Sequence, residues 1–228
     1  MVIVFAVGFA FLGVGSGGLD LASLVQSVFG AGSGGTSVSK AQKNAAKHPN
    51  DPQAWKTLAD ALQAKGRTDE EITALEHYVK LAPKDVTQLQ NLALIEQTQA
   101  SNAQQADLAA RQAQASVANS SFFAPRLGGN DPITNALQTQ VSTAEQTTFT
   151  AFRDAVRRAL VTLKRLATLQ NDATSYEQLA SAAEQYGERA TALKAFQKEL
   201  TLEHDPQLKA QVRARIKALR AAGPIVGG

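Results

Sequence analysis

The chain of 228 residues has no cysteine, one tryptophan, one methionine and only 6% aromatic residues. Without thiols it has no disulfide framework, no thiol nucleophile and no cysteine-ligated zinc or iron–sulfur centre. That absence does not fix a compartment, because a disulfide-free chain is permitted anywhere. Charge is sparse too: 19% of residues are charged, and the formal net charge is +3. Such a small excess does not mark a nucleic-acid protein. The 44% of apolar residues is nevertheless too many for a disordered chain. What the chain has in abundance is alanine and glutamine, with few β-branched runs. This composition favours helices over a β-sandwich or barrel, and the length suits one or two domains with a sizeable core. The expectation is an all-α protein.

The amino terminus stands apart. Val2 to Val14 contains no polar or charged side chain, and the small residues after it extend the run to residue 18. A membrane-spanning helix wants roughly 20 apolar residues, so this run is at the short limit. A buried core helix of that length carries a polar stripe, and this one has none. A cleaved signal would show basic residues before its apolar core, but Met1 is followed directly by Val2. A start upstream of Met1 would account for the missing flank. The favoured reading is a single-pass membrane anchor over residues 1–18, with a cleaved signal or a core element as alternatives. Its orientation is unreadable, since the first basic residue is Lys40.

Gly13-Val14-Gly15-Ser16-Gly17-Gly18 satisfies the bare G-x-G-x-x-G fingerprint of dinucleotide-binding folds. That chemistry needs a following helix, a second parallel strand and an acidic residue about 20 positions on. Here a short segment leads instead into a second glycine tract, Gly30 to Gly35. Residues 19–36 therefore read as a flexible glycine- and serine-rich tether, and neither cofactor nor small-molecule substrate is expected.

From residue 37 onward the pattern is helical, broken by short glycine, proline or Asn-Asp signals. Ser37 or Ser39 can cap a helix that ends near His48, where Pro49 stops it. In Pro52 to Asp85, Trp55, Leu58 and Leu62 form one stripe, and Gly66 marks a turn. Thr68 with Glu71 reads as a capping box for a helix whose stripe is Ile72, Leu75, Tyr78 and Val79, and Pro83 closes the unit. Two short antiparallel helices cannot bury both apolar faces alone, so a stack of such units is expected.

These residues resemble the tetratricopeptide repeat family, a helix–turn–helix of about 34 residues. With Pro52 as the first position, Trp55, Leu58, Gly66 and Pro83 all fall in register. Ala59, Glu71 and Tyr78 depart from the family's small residues, and the last two imply a wider spacing or a different tilt. A second match runs from Asp172 to Pro206, with Tyr176 in the tryptophan place, Leu179, Ala180, Gly187, Ala192 and Phe196. Glu199 departs from that pattern, and His204 stands where the family has its proline. Gln207 to Ala221 is an amphipathic helix that can cover the end of a repeat stack. The resemblance thus implies an α-solenoid: repeats over 37–116, a loop over 117–132, repeats and a capping helix over 133–222, and a tail over 223–228.

Between the two matches the resemblance weakens. Val86 to Ser116 reads as a degenerate helix pair, and Val117 to Asp131 as a long loop. Ile133 to Gln170 has neither proline nor glycine and carries Phe149, Phe152, Val156, Leu160, Leu163 and Leu166 at helical steps. It is either one long helix or a pair broken near Thr147-Thr148.

Catalytic signals are missing. His48, His77 and His204 have no ligand partner at helical spacing, and no zincin, nucleophile-elbow or phosphate-loop motif occurs. Glu70, Glu71 and Glu76 read as first-turn dipole charges and a solvated face. In the resembled family, ligands lie in the groove formed by the first helix of each pair. The corresponding positions are Gln53, Lys56, Asp60 and Gln63, then Thr174, Glu177, Ser181 and Glu184. They imply a polar or mixed-charge protein or peptide partner. Arg153, Arg157, Arg158, Lys164 and Arg165, and near the end Arg213, Arg215, Lys217 and Arg220, give two helices a basic side. Against anionic headgroups such residues are worth roughly 1 kcal/mol each. A solvated face is the simpler reading, and without interleaved aromatics nucleic acid is not expected. The expectation is a membrane-anchored, non-enzymatic interaction scaffold. The alternatives are a soluble or secreted peptide-binding module, or a basic membrane-surface or nucleic-acid binder.

Overall fold

Eight α-helices and no strand make up the described residues of the computed structural model, which are 37–119 and 132–221. The expected anchor (1–18), the tether (19–36), the glycine motif at 13–18, Phe122 and Phe123, and the tail (223–228) lie outside them. So do residues 120–131, most of the expected loop.

Local signals set most helix ends. Helix α1 spans Val38–Lys47, and the Ser37 hydroxyl accepts from the Lys40 amide at 3.3 Å. Asp51 caps α2 (Pro52–Gln63) by accepting from the Gln53 amide at 2.9 Å, with Pro52 in the first turn where its missing N–H costs nothing. Helix α3 spans Thr68–Leu81. The expected capping box is not formed there. Thr68 is already helical, the flanking Arg67 makes no side-chain cap, and Glu71 is buried. Arg67 instead forms two hydrogen bonds to Glu70, at 2.7 and 2.8 Å. Helix α4 runs unbroken from Val86 to Asn119, capped by Asp85, which accepts from the Gln88 amide at 3.1 Å. The helix pair expected over 86–116 is therefore one helix. Nothing in its alanine- and glutamine-rich sequence breaks it. Helix α5 is likewise continuous, from Pro132 to Gln170, which decides for the single-helix reading. Then follow α6 (Ala173–Gln185), α7 (Arg189–Leu202) and α8 (Pro206–Ala221).

The pair α2–α3 and the pair α6–α7 repeat one another at a constant offset. Asp51 and Asp172 cap the first helix of each pair through a backbone amide. Gly66 and Gly187 close the turns at φ of 66° and 77°. The next amides, of Arg67 and Glu188, donate to the carbonyls of Leu62 and Ala183. Buried positions coincide as well: Leu58 with Leu179, Ala59 with Ala180, Ala74 with Ala195, and Leu75 with Phe196.

Each helix packs mainly on its neighbours in the chain. The result is two apolar cores. One joins α1, α2 and α3 to Leu89 and Leu92 of α4 and Leu166 of α5. The other joins Ala93 and Ala100 of α4 to α5, α6, α7 and α8, with Phe196 fully buried.

Both cores therefore depend on α4 and α5. These helices have 34 and 39 residues, about 51 and 58 Å at 1.5 Å per residue. Their facing residues follow steps of three and four: Ala93, Glu96, Ala100, Ala103, Asp107 and Ala110 on α4, and Thr148, Phe152, Ala155, Ala159, Thr162 and Leu166 on α5. This is the spacing of a coiled-coil seam, made here mostly of alanine and threonine, with Glu96, Asp107, Phe152 and Leu166 among them. Gln99 meets Arg158, and farther along Arg111 lies over the Phe149 ring, so the two helices run antiparallel.

Two measurements follow from this packing. Ala159 is fully buried on the seam, so Ala159→Leu should cost about 1–3 kcal/mol in denaturant unfolding. An alanine at Gly187 meets no atom within 4 Å but must hold a positive φ. Gly187→Ala should cost about 1–2 kcal/mol, from backbone strain alone.

Candidate partner-binding surfaces

On α2, Gln53, Asp60 and Gln63 are exposed and Lys56 is half-buried. Lys56 Nζ and Asp60 Oδ2 form an ion pair at 3.2 Å, one turn apart. Asp60 also acts on Glu71: burial raises the Glu71 pKa, and the Asp60 charge adds to that. Trp55 serves the fold. Its indole N–H donates to the Pro49 carbonyl at 2.8 Å, and its ring stacks on His77 with centroids 4.1 Å apart. His48 and His204 are exposed. Among the described residues no three of His, Asp and Glu are grouped as metal ligands would be.

On α6, Thr174, Glu177 and Glu184 are exposed and Ser181 is half-buried. This set is tied to its neighbours more closely than the spacing implied. Arg215 of α8 donates to the Ser181 hydroxyl at 3.4 Å and lies over the Phe196 ring at 5.6 Å. Beside them is Glu199 of α7, 4% exposed, with its Oε2 making no hydrogen bond. Its pKa is pushed up to about 7 by burial and then by Glu177, while Arg215 works the other way. Ser181 and Glu177 thus share a polar cluster with Glu199 and Arg215. The α2 set and the α6 set stand on helices of different cores.

In the first hairpin, Tyr78 occupies the place of Glu199. Its hydroxyl donates to Asp85 at 2.6 Å, and that bond is the main reason its pKa rises to about 12. The same bond, with the Gln88 amide, holds the Asp85 carboxyl below its ordinary range. Tyr78 therefore fixes the cap of α4, which accounts for a large side chain where small ones were expected.

The basic side of α5 is only partly solvated. Arg158 donates to Gln99 at 2.9 Å, and Gln99 in turn donates to Asp69 of α3. Arg165 donates to the carbonyls of Val79 at 2.8 Å and Pro83 at 3.1 Å. A cation at that place neutralises the end of α3, where carbonyls lack helical partners. Arg157 pairs with Asp154, Arg153 covers Phe149, and Lys164 is exposed. Arg158 and Arg165 thus link α5 to its neighbours. On α8, Arg213, Lys217 and Arg220 are exposed.

Glu96 is the most deeply buried carboxylate of the seam, 1% exposed, with Oε2 unpaired. Burial pushes its pKa up to about 7, Glu76 adds to this, and Thr162 and Arg158 oppose it. Sequence reasoning missed this residue because the helix pair it assumed hid the heptad spacing.

No protein-family model matches the chain, and no curated protein matches its sequence. Among the described residues no helix is long and apolar enough to cross a membrane.

The raised carboxyls set a sign for the pH dependence. A Glu96 that keeps its proton in the fold but loses it when unfolded makes folding less favourable as pH rises from about 4.5 to about 7. Above pH 7 that loss is complete. Glu96→Gln keeps the shape and removes the ionisation. It should be more stable than the parent by about 2–3 kcal/mol at pH 8, with the difference vanishing near pH 4, read by urea unfolding at both pH values.

Proposed function

We propose that this protein is a non-enzymatic scaffold that binds a protein or peptide partner through tetratricopeptide-like helix pairs, tethered to a membrane by its apolar first 18 residues. The observation that carries the reading is the repetition of one hairpin, α2–α3 in α6–α7, down to cap, turn and buried positions. Repeats of this kind cannot bury their apolar faces alone, and stacking leaves a row of outward side chains available to a ligand. The polar α2 face of Gln53, Lys56, Asp60 and Gln63 offers hydrogen bonds and both charges on a preformed helix, which suits a polar or mixed-charge peptide. On α6, Thr174, Glu177 and Glu184 are exposed beside the Arg215 cluster.

Two experiments bear on this. After carbonate extraction of cells making the tagged chain, the protein should stay with the membranes; recovery in the soluble fraction contradicts the tether. In crosslinking pull-downs from native membranes, the double change Lys56→Ala and Asp60→Ala should reduce capture of a partner several-fold with unchanged helicity. The pair lies at the surface, with side chains 34% and 61% exposed, and adds little to stability. Unchanged capture argues against the α2 face.

A further inference from the structure

A groove of about 310 Å³ lies between α3, α4 and α5, away from the α2 and α6 faces. Val79 of α3 and Leu89 and Leu92 of α4 give it an apolar lining, and Val161 of α5, 63% exposed, stands with them. Val161 thus extends the buried apolar lining to the open side of the groove. Around the apolar lining stand Lys80, Arg157, Arg158 and Arg165, against the carboxyls of Glu76 and Glu96. Glu96 is buried beneath, and with four cations against two carboxyls the groove is net positive.

Two of these cations are already fixed, Arg158 by Gln99 and Arg165 by two backbone carbonyls, so they lose little freedom on meeting an anion. Arg157 is held only by Asp154 in a solvent-exposed pair, 74% and 46% exposed, which a partner carboxylate can displace at little cost. The volume matches about ten waters, enough for an inserted aliphatic side chain. A flat headgroup surface would leave such a hollow unfilled.

We propose that the groove between α3, α4 and α5 docks an amphipathic helix of a partner protein, one that presents aliphatic side chains flanked by carboxylates. The pairing is helix-in-groove recognition, with apolar anchors for affinity and the arginine rim for orientation. It is a second surface, independent of the α2 face.

Because the chain has no cysteine, Val161→Cys supplies a single thiol for an environment-sensitive dye. The full chain in detergent micelles is titrated with a synthetic helical peptide carrying leucines one turn apart, flanked by glutamates. Emission at position 161 should shift to the blue and saturate, while dye at Leu108→Cys, on the outer part of α4, stays unchanged. A peptide with lysines in place of the glutamates should bind at least tenfold more weakly. So should the glutamate peptide to a Lys80→Glu, Arg157→Glu chain of unchanged circular dichroism. Anisotropy of labelled peptide with the unlabelled chain should give the same affinity ranking, which excludes interference from the dye. Equal affinity for the two peptides, an equal response at position 108, or full binding by the charge-reversed chain overturns the proposal. A response to phosphatidylserine vesicles but not to the peptide also overturns it, and assigns the cations to a membrane surface.

Discussion

The close approach of α4 and α5 along a seam of alanine and threonine is the constraint on which the rest of the structure depends. Interaxial distance is set by the side chains at the contact. Ala100, Ala103, Ala155 and Ala159 permit two helices of 34 and 39 residues to lie together along much of their length. Each core then uses a different stretch of the pair: Leu89, Leu92 and Leu166 for the first, Ala93, Ala100, Val156 and Leu160 for the second. A larger residue in the middle of the seam would disturb both hairpins through their common support. Alanine, which composition presents as an excess, is here the means of contact.

The polar residues set into this framework divide by how they are satisfied. Tyr78 and Asp85 complete one another and fix the start of α4. Arg165 completes the end of α3, and Arg158, Gln99 and Asp69 form a chain of hydrogen bonds across α5, α4 and α3. Glu96 and Glu199 each keep one oxygen unpaired, with a pKa pushed up to about 7, and Asp107 Oδ1 and Arg158 Nε are likewise buried without a hydrogen bond. Buried ionisable groups of that kind lower stability where they are charged. The two glutamates lie next to surfaces lined by arginine, Glu96 below the α3–α4–α5 groove and Glu199 beside Arg215. The α3–α4–α5 groove and the α6 cluster thus each border a buried carboxyl with an unpaired oxygen, whereas the α2 face carries its own ion pair.

Much of the architecture was legible in the residues, because caps, turns and stripes are local. Asp51 and Pro52 start α2, Gly66 and Gly187 have the positive φ their turns need, and Ser37 caps α1, all as their chemistry implies. The misreadings came from tertiary context. Thr68 and Glu71 have the spacing of a capping box, but Thr68 is itself the first helical residue and Glu71 is buried, under the influence of the Asp60 charge on α2. The 86–116 segment has weak apolar periodicity, which suggested interruption. Its contact face is small and partly polar, a pattern that a search for large apolar stripes overlooks. Outward positions on α2 and α6 follow from helical phase alone. The clusters around Glu199 and Glu96 need three helices each, and no spacing within one helix could indicate them.

The most direct test of the account is the register of the long pair. In a chain with no other thiol, Ala103→Cys and Ala155→Cys place two cysteines opposite one another on the seam, where mild oxidation should link them within one chain almost completely. The pair Ala103→Cys and Ala144→Cys, displaced by about three turns, should stay reduced. Crosslinking of the displaced pair, or no crosslink in the facing one, would contradict the antiparallel seam that carries both cores.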